Sequence, residues 1–260
     1  MEIHSTAIIN PAADIADDVK IGPYVYIDGP AIIGPGCVIN AHAILAGMVR
    51  IGRDNMIGYG AVIGAEPQDN AYSPKIRSEV IIGDHNCIRE YCTIHRGTTQ
   101  DSATRVGNHN FFMAGTHLAH NTSVGSHVTI ANNALLAGHV EVQDHAYIGG
   151  GDVFHQHMRV GQYAFTRGKS GFGKDIPPFT FAAKTNCIIG LNVPGLLGAG
   201  FSAEERAEIK AAFKLLYKSG LNTSQAIERA RQMKWRNQGR IFFDFVASAT
   251  KRGICDLRKD

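Results

Sequence analysis

Between Val106 and Val160 an aliphatic or aromatic side chain returns at every sixth position: Val106, Phe112, Leu118, Val124, Ile130, Leu136, Val142, Ile148, Phe154 and Val160. The same beat runs from Ile3 through Ile9, Ile15, Ile21, Ile27, Ile33, Ile39, Leu45, Ile51 and Ile57 to Ile63. A helical face repeats near 3.6 and a half-buried strand near 2, so a strict period of six fits neither alone. It fits a parallel β-helix of hexapeptide repeats. Four positions after most anchors stands a small or β-branched residue, as at Ala7, Ala13, Val19, Val25, Ala31, Cys37, Ala43, Val49 and Ala61. One large and one small inward position per hexad describe a narrow coil. Three sides then make an eighteen-residue turn, with coils stacked at about 4.8 Å.

The beat breaks between Ile63 and Ile82, and the polar stretch 66–79, with two prolines, reads as a loop thrown out of the prism. A second excursion is expected at 97–104, where Gln100 stands in place of an anchor. Loops on a rigid scaffold commonly carry binding groups. Beyond Val160 the pattern weakens, with Thr166 and Phe172 as poor anchors, and Pro177-Pro178 closes the region. From Ser202 the period becomes helical. Ser202 with Glu205 forms a capping box, and Ile209, Ala212, Phe213 and Leu216 make one face. Two further helices are expected over Thr223–Trp235 and Gly239–Lys251. The division is therefore a β-helical domain over 1–195 and a small α-helical domain over 196–260 that packs on or caps the prism.

The 260 residues, 44% hydrophobic and 19% charged with a net charge of +3, suit a soluble protein and create no demand for nucleic acid. Five cysteines, Cys37, Cys87, Cys92, Cys187 and Cys255, form no C-x-x-C pair and point to a reducing, cytoplasmic setting. No signal peptide and no membrane span are expected.

Register decides which polar residues meet. Eighteen residues apart means stacked, so His120, Gly138 and Gln156 share one column, and His139 and His157 share the next. His117 projects at the neighbouring corner. An imidazole can accept the proton of an attacking hydroxyl or amine, and a bare glycine N–H can stabilise an oxyanion. The patch is thus suited to acyl transfer. His109, His127 and His145 stack as well, each most simply an exposed corner, so the weight rests on the coincidence with Gly138. No two histidines are spaced H-x-x-x-x-H, and neither a metal nor any other cofactor is expected.

The segments IREYCTIHRGT (88–98), HLAHN (117–121), LAGHV (136–140), FHQ (154–156), DIPPF (175–179) and the GFSAEER helix start resemble the UDP-N-acetylglucosamine acyltransferases of lipid A biosynthesis. The likeness runs through nearly the whole chain. It implies a mainly β fold, a left-handed parallel β-helix followed by the helical tail, assembled as a homotrimer. It also implies transfer of a 3-hydroxyacyl chain from acyl carrier protein to the 3-hydroxyl of UDP-N-acetylglucosamine, the first step of lipid A biosynthesis. By position, the resemblance makes His120 the general base and Gly138 the oxyanion donor. His117 and His139 would place the sugar and acyl groups, and His155 and Gln156 would contact the nucleotide sugar. Asp69 would bind the sugar, Asn192 would lie near the nucleotide, and Gly168 would stand where the family gauges acyl length. Lys210, Lys214 and Lys218 offer a basic row for the acidic carrier.

Several positions depart from that pattern. Asn121 replaces an aspartate beside the base, which should weaken both the orientation of His120 and the stabilisation of its charge. Ala71 replaces a substrate-holding lysine. Pro194, Gly198 and Ala199 replace a glutamate and two arginines around the nucleotide. Arg167 and Lys169 bring charge beside Gly168. Two alternatives follow: N-acylation of a 3-amino sugar, with acyl-CoA as a possible donor, and a trimeric homologue without turnover.

Overall fold

The computed structural model describes residues 2–258; Met1, assigned to the prism, and Lys259 and Asp260, assigned to the helical tail, lie outside them. Short strands recur through the first two thirds of the chain, most ending on a hexad anchor. Every third strand joins the same sheet, giving three parallel sheets that form the faces of a left-handed β-helix. This handedness is an exception to the usual right-handed crossover. The first face holds Glu2–Ile3, the second Ile8–Ile9 and the third Asp14–Ile15, each followed by its stacked successors. The anchors fill the interior: Ile27, Ile39, Leu45, Ile57 and Ile63 are each at most 1% exposed. Thr166 and Phe172, weak anchors by sequence, are also buried, so the coil continues past Val160 to Ile176.

Pairing is 18 residues apart through the regular coils, as in His117 with Leu135 and Leu135 with Val153, and shortens to 16 in the last one, where Phe165 pairs with Phe181. Across the first excursion Val62 pairs with Thr93, 31 residues on, so that loop adds thirteen residues. Across the second, Thr93 pairs with His117, 24 residues on, so that loop adds six. A buried amide column crosses both insertions. The Oδ1 of Asn55 accepts from the N–H of Asn86, and that of Asn86 from the N–H of Asn110, while their Nδ2 groups donate to Gly83, Gly107 and Gly125 carbonyls. Each polar atom that replaces a hydrophobe here is paired, as burial demands.

From Tyr24 onward most corners turn through a left-handed residue. On the edge between the third and first faces these are His85, His109, His127, His145 and Tyr163, whose rings stack at 4.5–4.9 Å, close to the coil rise. These histidines form a structural ladder on the surface.

An antiparallel pair, Thr180–Ala183 with Cys187–Leu191, ends the prism and leads into α1 (Val193–Gly198). Three longer helices follow: α2 (Ala203–Tyr217), α3 (Thr223–Arg231) and α4 (Asn237–Ala247). Capping boxes start α2 at Ser202 and α3 at Asn222. The helices α3 and α4 end four residues earlier than the sequence periodicity suggests, at Arg231 and Ala247. No helix among the described residues is long and apolar enough to cross a membrane.

Asp175 bolts the helices to the prism. Fully buried, it accepts from the Arg159 backbone N–H and guanidinium and from the N–H and hydroxyl of Thr250. Arg159 in turn donates to the Phe245 carbonyl and lies 4.3 Å from the Phe245 ring centroid. Removing one member strands the other in low dielectric. Asp175→Ala is therefore expected to lower the unfolding free energy by about 3–5 kcal/mol, read from the urea midpoint. The loss in Asp175→Ala/Arg159→Ala should be smaller than the sum of the two single losses.

Candidate active site

The edge between the second and third faces carries His120, Gly138, His139, Gln156 and His157. Both excursions leave from this same edge, the first after Val62–Ala65 and the second after Thr93–His95. Backbone bonds tie the coils in register here: His139 N–H donates to the His120 carbonyl and His157 N–H to the Gly138 carbonyl, both at 3.0 Å. The His120 imidazole lies directly on Gly138, where a Cβ would overlap its Cε1 and Nε2. Only glycine leaves room for the ring in that place. The Gly138 N–H donates to no protein acceptor among the described residues. His139 meets His120 edge to face at 5.2 Å and stacks on His157 at 4.5 Å.

Asn121 corrects the expectation drawn from its identity. Its Oδ1 lies 3.0 Å from Nδ1 of His120 and also accepts from the N–H (3.1 Å) and hydroxyl (3.0 Å) of Thr98. The ring is held despite the missing carboxylate; only the negative charge is absent.

His117 lies on the second face, with Nδ1 2.7 Å from the Thr93 hydroxyl and its ring 5.1 Å from that of His95. Burial, and then His95, push the His117 pKa down to about 4. His95 is 8% exposed, with Nδ1 unpartnered among the described residues, and its pKa is lowered, chiefly by burial. The His139 pKa is lowered by burial, then by His157 and His120. At neutral pH these three imidazoles therefore form an uncharged wall beside His120. His95 was not singled out by the eighteen-residue register because it reaches this wall only through the 24-residue spacing across the second loop. Thr98 was missed for the same reason.

His155 and Gln156 are exposed on the coil above Gly138, and Nδ1 of His155 is 3.4 Å from the Gln156 carbonyl. Asp69 is exposed in the first excursion, where its carboxylate accepts from the Ala71 N–H in a local turn. That loop is fastened by Arg96, which reaches the Gly64 carbonyl, Glu66 and the Tyr72 hydroxyl. Gly168 and Asn192 do not join the patch within one chain. Gly168 is on the edge between the first and second faces, packed against Gly150. Asn192 caps α1 and donates to the Tyr163 carbonyl, beside a cavity of about 590 Å³ lined by His127, His145, Tyr147 and Phe165 as well as Gly198 and Ala199. Among the described residues, no cluster of three or more His, Cys, Asp or Glu could hold a metal ion.

Residues 175–255 match the family described as Udp N-acetylglucosamine O-acyltransferase, domain 2, and residues 12–47 and 103–138 match bacterial transferase hexapeptide (six repeats). The acyl-[acyl-carrier-protein]–UDP-N-acetylglucosamine O-acyltransferase of Saccharophagus degradans is 46% identical over 254 residues, covering 97% of this chain and 98% of its own. A relative of the same name from Syntrophobacter fumaroxidans is 41% identical over 98% of this chain and 99% of its own. The structure of LpxA from Acinetobacter baumannii aligns with a TM-score of 0.93 at 38% identity, over 98% of this chain and 99% of that one.

The lowered histidine pKa values set a pH dependence. A group whose folded pKa lies below its unfolded value near 6.5 binds its proton more readily in the unfolded chain. Stability is therefore fully present above pH 6.5 and is lost as pH falls toward about 4, the value for His117. The unfolding midpoint should fall over this window, and His117→Asn, which cannot titrate, should flatten the fall. An equally steep fall in that variant would remove His117 as a cause.

Proposed function

This chain belongs to the UDP-N-acetylglucosamine O-acyltransferase family, and we propose that His120 and Gly138 are the pair through which it works. Its activity is transfer of an acyl chain from acyl carrier protein to UDP-N-acetylglucosamine, the opening step of lipid A synthesis. Nε2 of His120 takes the proton of the sugar 3-hydroxyl as the oxygen attacks the thioester carbonyl. The tetrahedral oxyanion is stabilised by the Gly138 N–H. Collapse breaks the C–S bond, and the proton on Nε2 passes to the departing carrier thiolate. The observation that carries this reading is the imidazole lying on a glycine whose N–H has no protein acceptor.

The neutral imidazoles of His117 and His139 flank the acceptor and acyl groups, and His155, Gln156 and Asp69 hold the nucleotide sugar. Gly168 and Asn192 stand on the other two edges, so one copy cannot gather every element of the site. This supports a homotrimer in which neighbouring copies complete it, with Gly168 bounding the acyl chain and Asn192 near the nucleotide. The acyl carrier protein, being acidic, docks on the exposed row Lys210, Lys214 and Lys218. Free thiols at all five cysteines support a cytoplasmic setting.

Purified protein incubated with 3-hydroxyacyl carrier protein should convert UDP-N-acetylglucosamine to an ester, followed by mass. The uncharged Asn121 would suit an amine acceptor, so the 3-amino analogue is run beside it. Amide alone, or no product, overturns the hydroxyl reading. His120→Ala is expected to lower kcat by about 100-fold or more. Gly138→Ala should do the same by displacing the ring, with the β-sheet circular dichroism and the oligomer mass retained in both. Full turnover in His120→Ala removes it as the base.

A further inference from the structure

Asn121 and Thr98 pose a problem of orientation that a carboxylate would not. A neutral imidazole carries one N–H, and Nε2 can act as a base only if the proton sits on Nδ1. An Asn side chain presents either an acceptor or a donor to that nitrogen, depending on which way its amide faces. With the oxygen inward, Nδ1 must hold the proton and Nε2 is free. With the NH2 group inward, Nδ1 accepts, Nε2 holds the proton, and its lone pair is lost to catalysis.

Thr98 settles the choice. Its backbone N–H can only donate, and it faces the same amide atom as Nδ1 of His120, at 3.1 Å; its hydroxyl reaches that atom at 3.0 Å. A flipped amide would set NH2 against that N–H, leaving two donors opposed and both unpaired. Thr98 is itself immobilised on both sides. The Gly97 carbonyl before it accepts from the Ser78 hydroxyl at 2.6 Å, and Thr99 after it exchanges two hydrogen bonds with the Ser102 hydroxyl. The six-residue excursion thus holds a fixed pair of donors under the residue that follows the base.

We propose that Thr98 is a positioning residue for His120, acting through Asn121 by locking the amide oxygen toward Nδ1 and so selecting the Nδ1–H tautomer. The kinetic side of this inference rests on the assignment of His120 as base, whereas the tautomer itself does not. The coupling arises because residue 121 is an amide. In an Asn121→Asp background both side-chain oxygens accept, no wrong face exists, and Thr98 loses its importance for the tautomer.

The deciding measurement is the ¹⁵N–¹H long-range spectrum of the His120 ring at pH 8. The protein as isolated is expected to show Nδ1–H, and Thr98→Pro, which lacks both donors, should show a mixture or the Nε2–H form. Kinetics add a cycle. Thr98→Val should lower kcat about 5-fold and Thr98→Pro further, and either loss should largely vanish in the Asn121→Asp background. Recovery there also shows that the loop still folds. An unchanged Nδ1–H tautomer in Thr98→Pro overturns the inference whatever the rates. Should His120→Ala stay active instead, the base assignment fails while the tautomer result stands on its own.

Discussion

Each coil of the prism is tied to the next by backbone hydrogen bonds at a fixed rise, and almost every other feature depends on that constraint. It makes separation along the chain and position in space interchangeable: residues 18 apart lie one above the other because the ladder permits no slip. A one-residue slip would turn every anchor outward, and the buried Ile, Leu and Phe at those positions oppose it. The edges inherit the same regularity. Left-handed residues carry stacked rings on one edge; on another they are Asn121, His139 and His157, each following a member of the column His120, Gly138 and Gln156.

Catalytic geometry then comes from breaking the regularity at a single edge. Both insertions leave the prism where His120 stands, and their lengths differ in effect. The longer one moves Asp69 out on a loop that Arg96 fastens back to the scaffold. The shorter one adds six residues, and across both insertions the faces resume their pairing, so the anchors on either side are undisturbed. The scaffold therefore gains a rigid donor pair beside His120 without losing packing below or above.

The same physics explains what could be read from the chain beforehand. His120 over Gly138 was legible because no insertion separates them, and the packing of a ring on a glycine follows once the column is known. His95 and Thr98 were hidden because the excursion changes the spacing from 18 to 24, and a pairing register has to be seen to be counted. Thr166 looked like a failed anchor because a hydroxyl breaks the hydrophobic beat; in place, it accepts from the Gly149 N–H and is buried like its neighbours. Asp175 gave no hint of its partners, since Thr250 lies 75 residues away in the helical tail, beyond any periodic relation.

Asn121 shows why residue identity alone misjudges a site. Replacing a carboxylate by an amide removes charge and also removes symmetry: two equivalent acceptors become one acceptor and one donor. Loss of charge leaves an imidazolium at His120 less stabilised, although His95, His117 and His139, pushed toward neutrality, add no repelling positive charge beside it. Loss of symmetry is a different matter, since an oriented donor can repair it. The backbone N–H of Thr98 is such a donor, fixed in direction by a loop whose own polar groups are bonded on either side. In the mechanism proposed for this site, hydrogen-bond direction does for the His120 tautomer what a carboxylate would do by charge, and the second loop supplies the donor that makes an amide workable there.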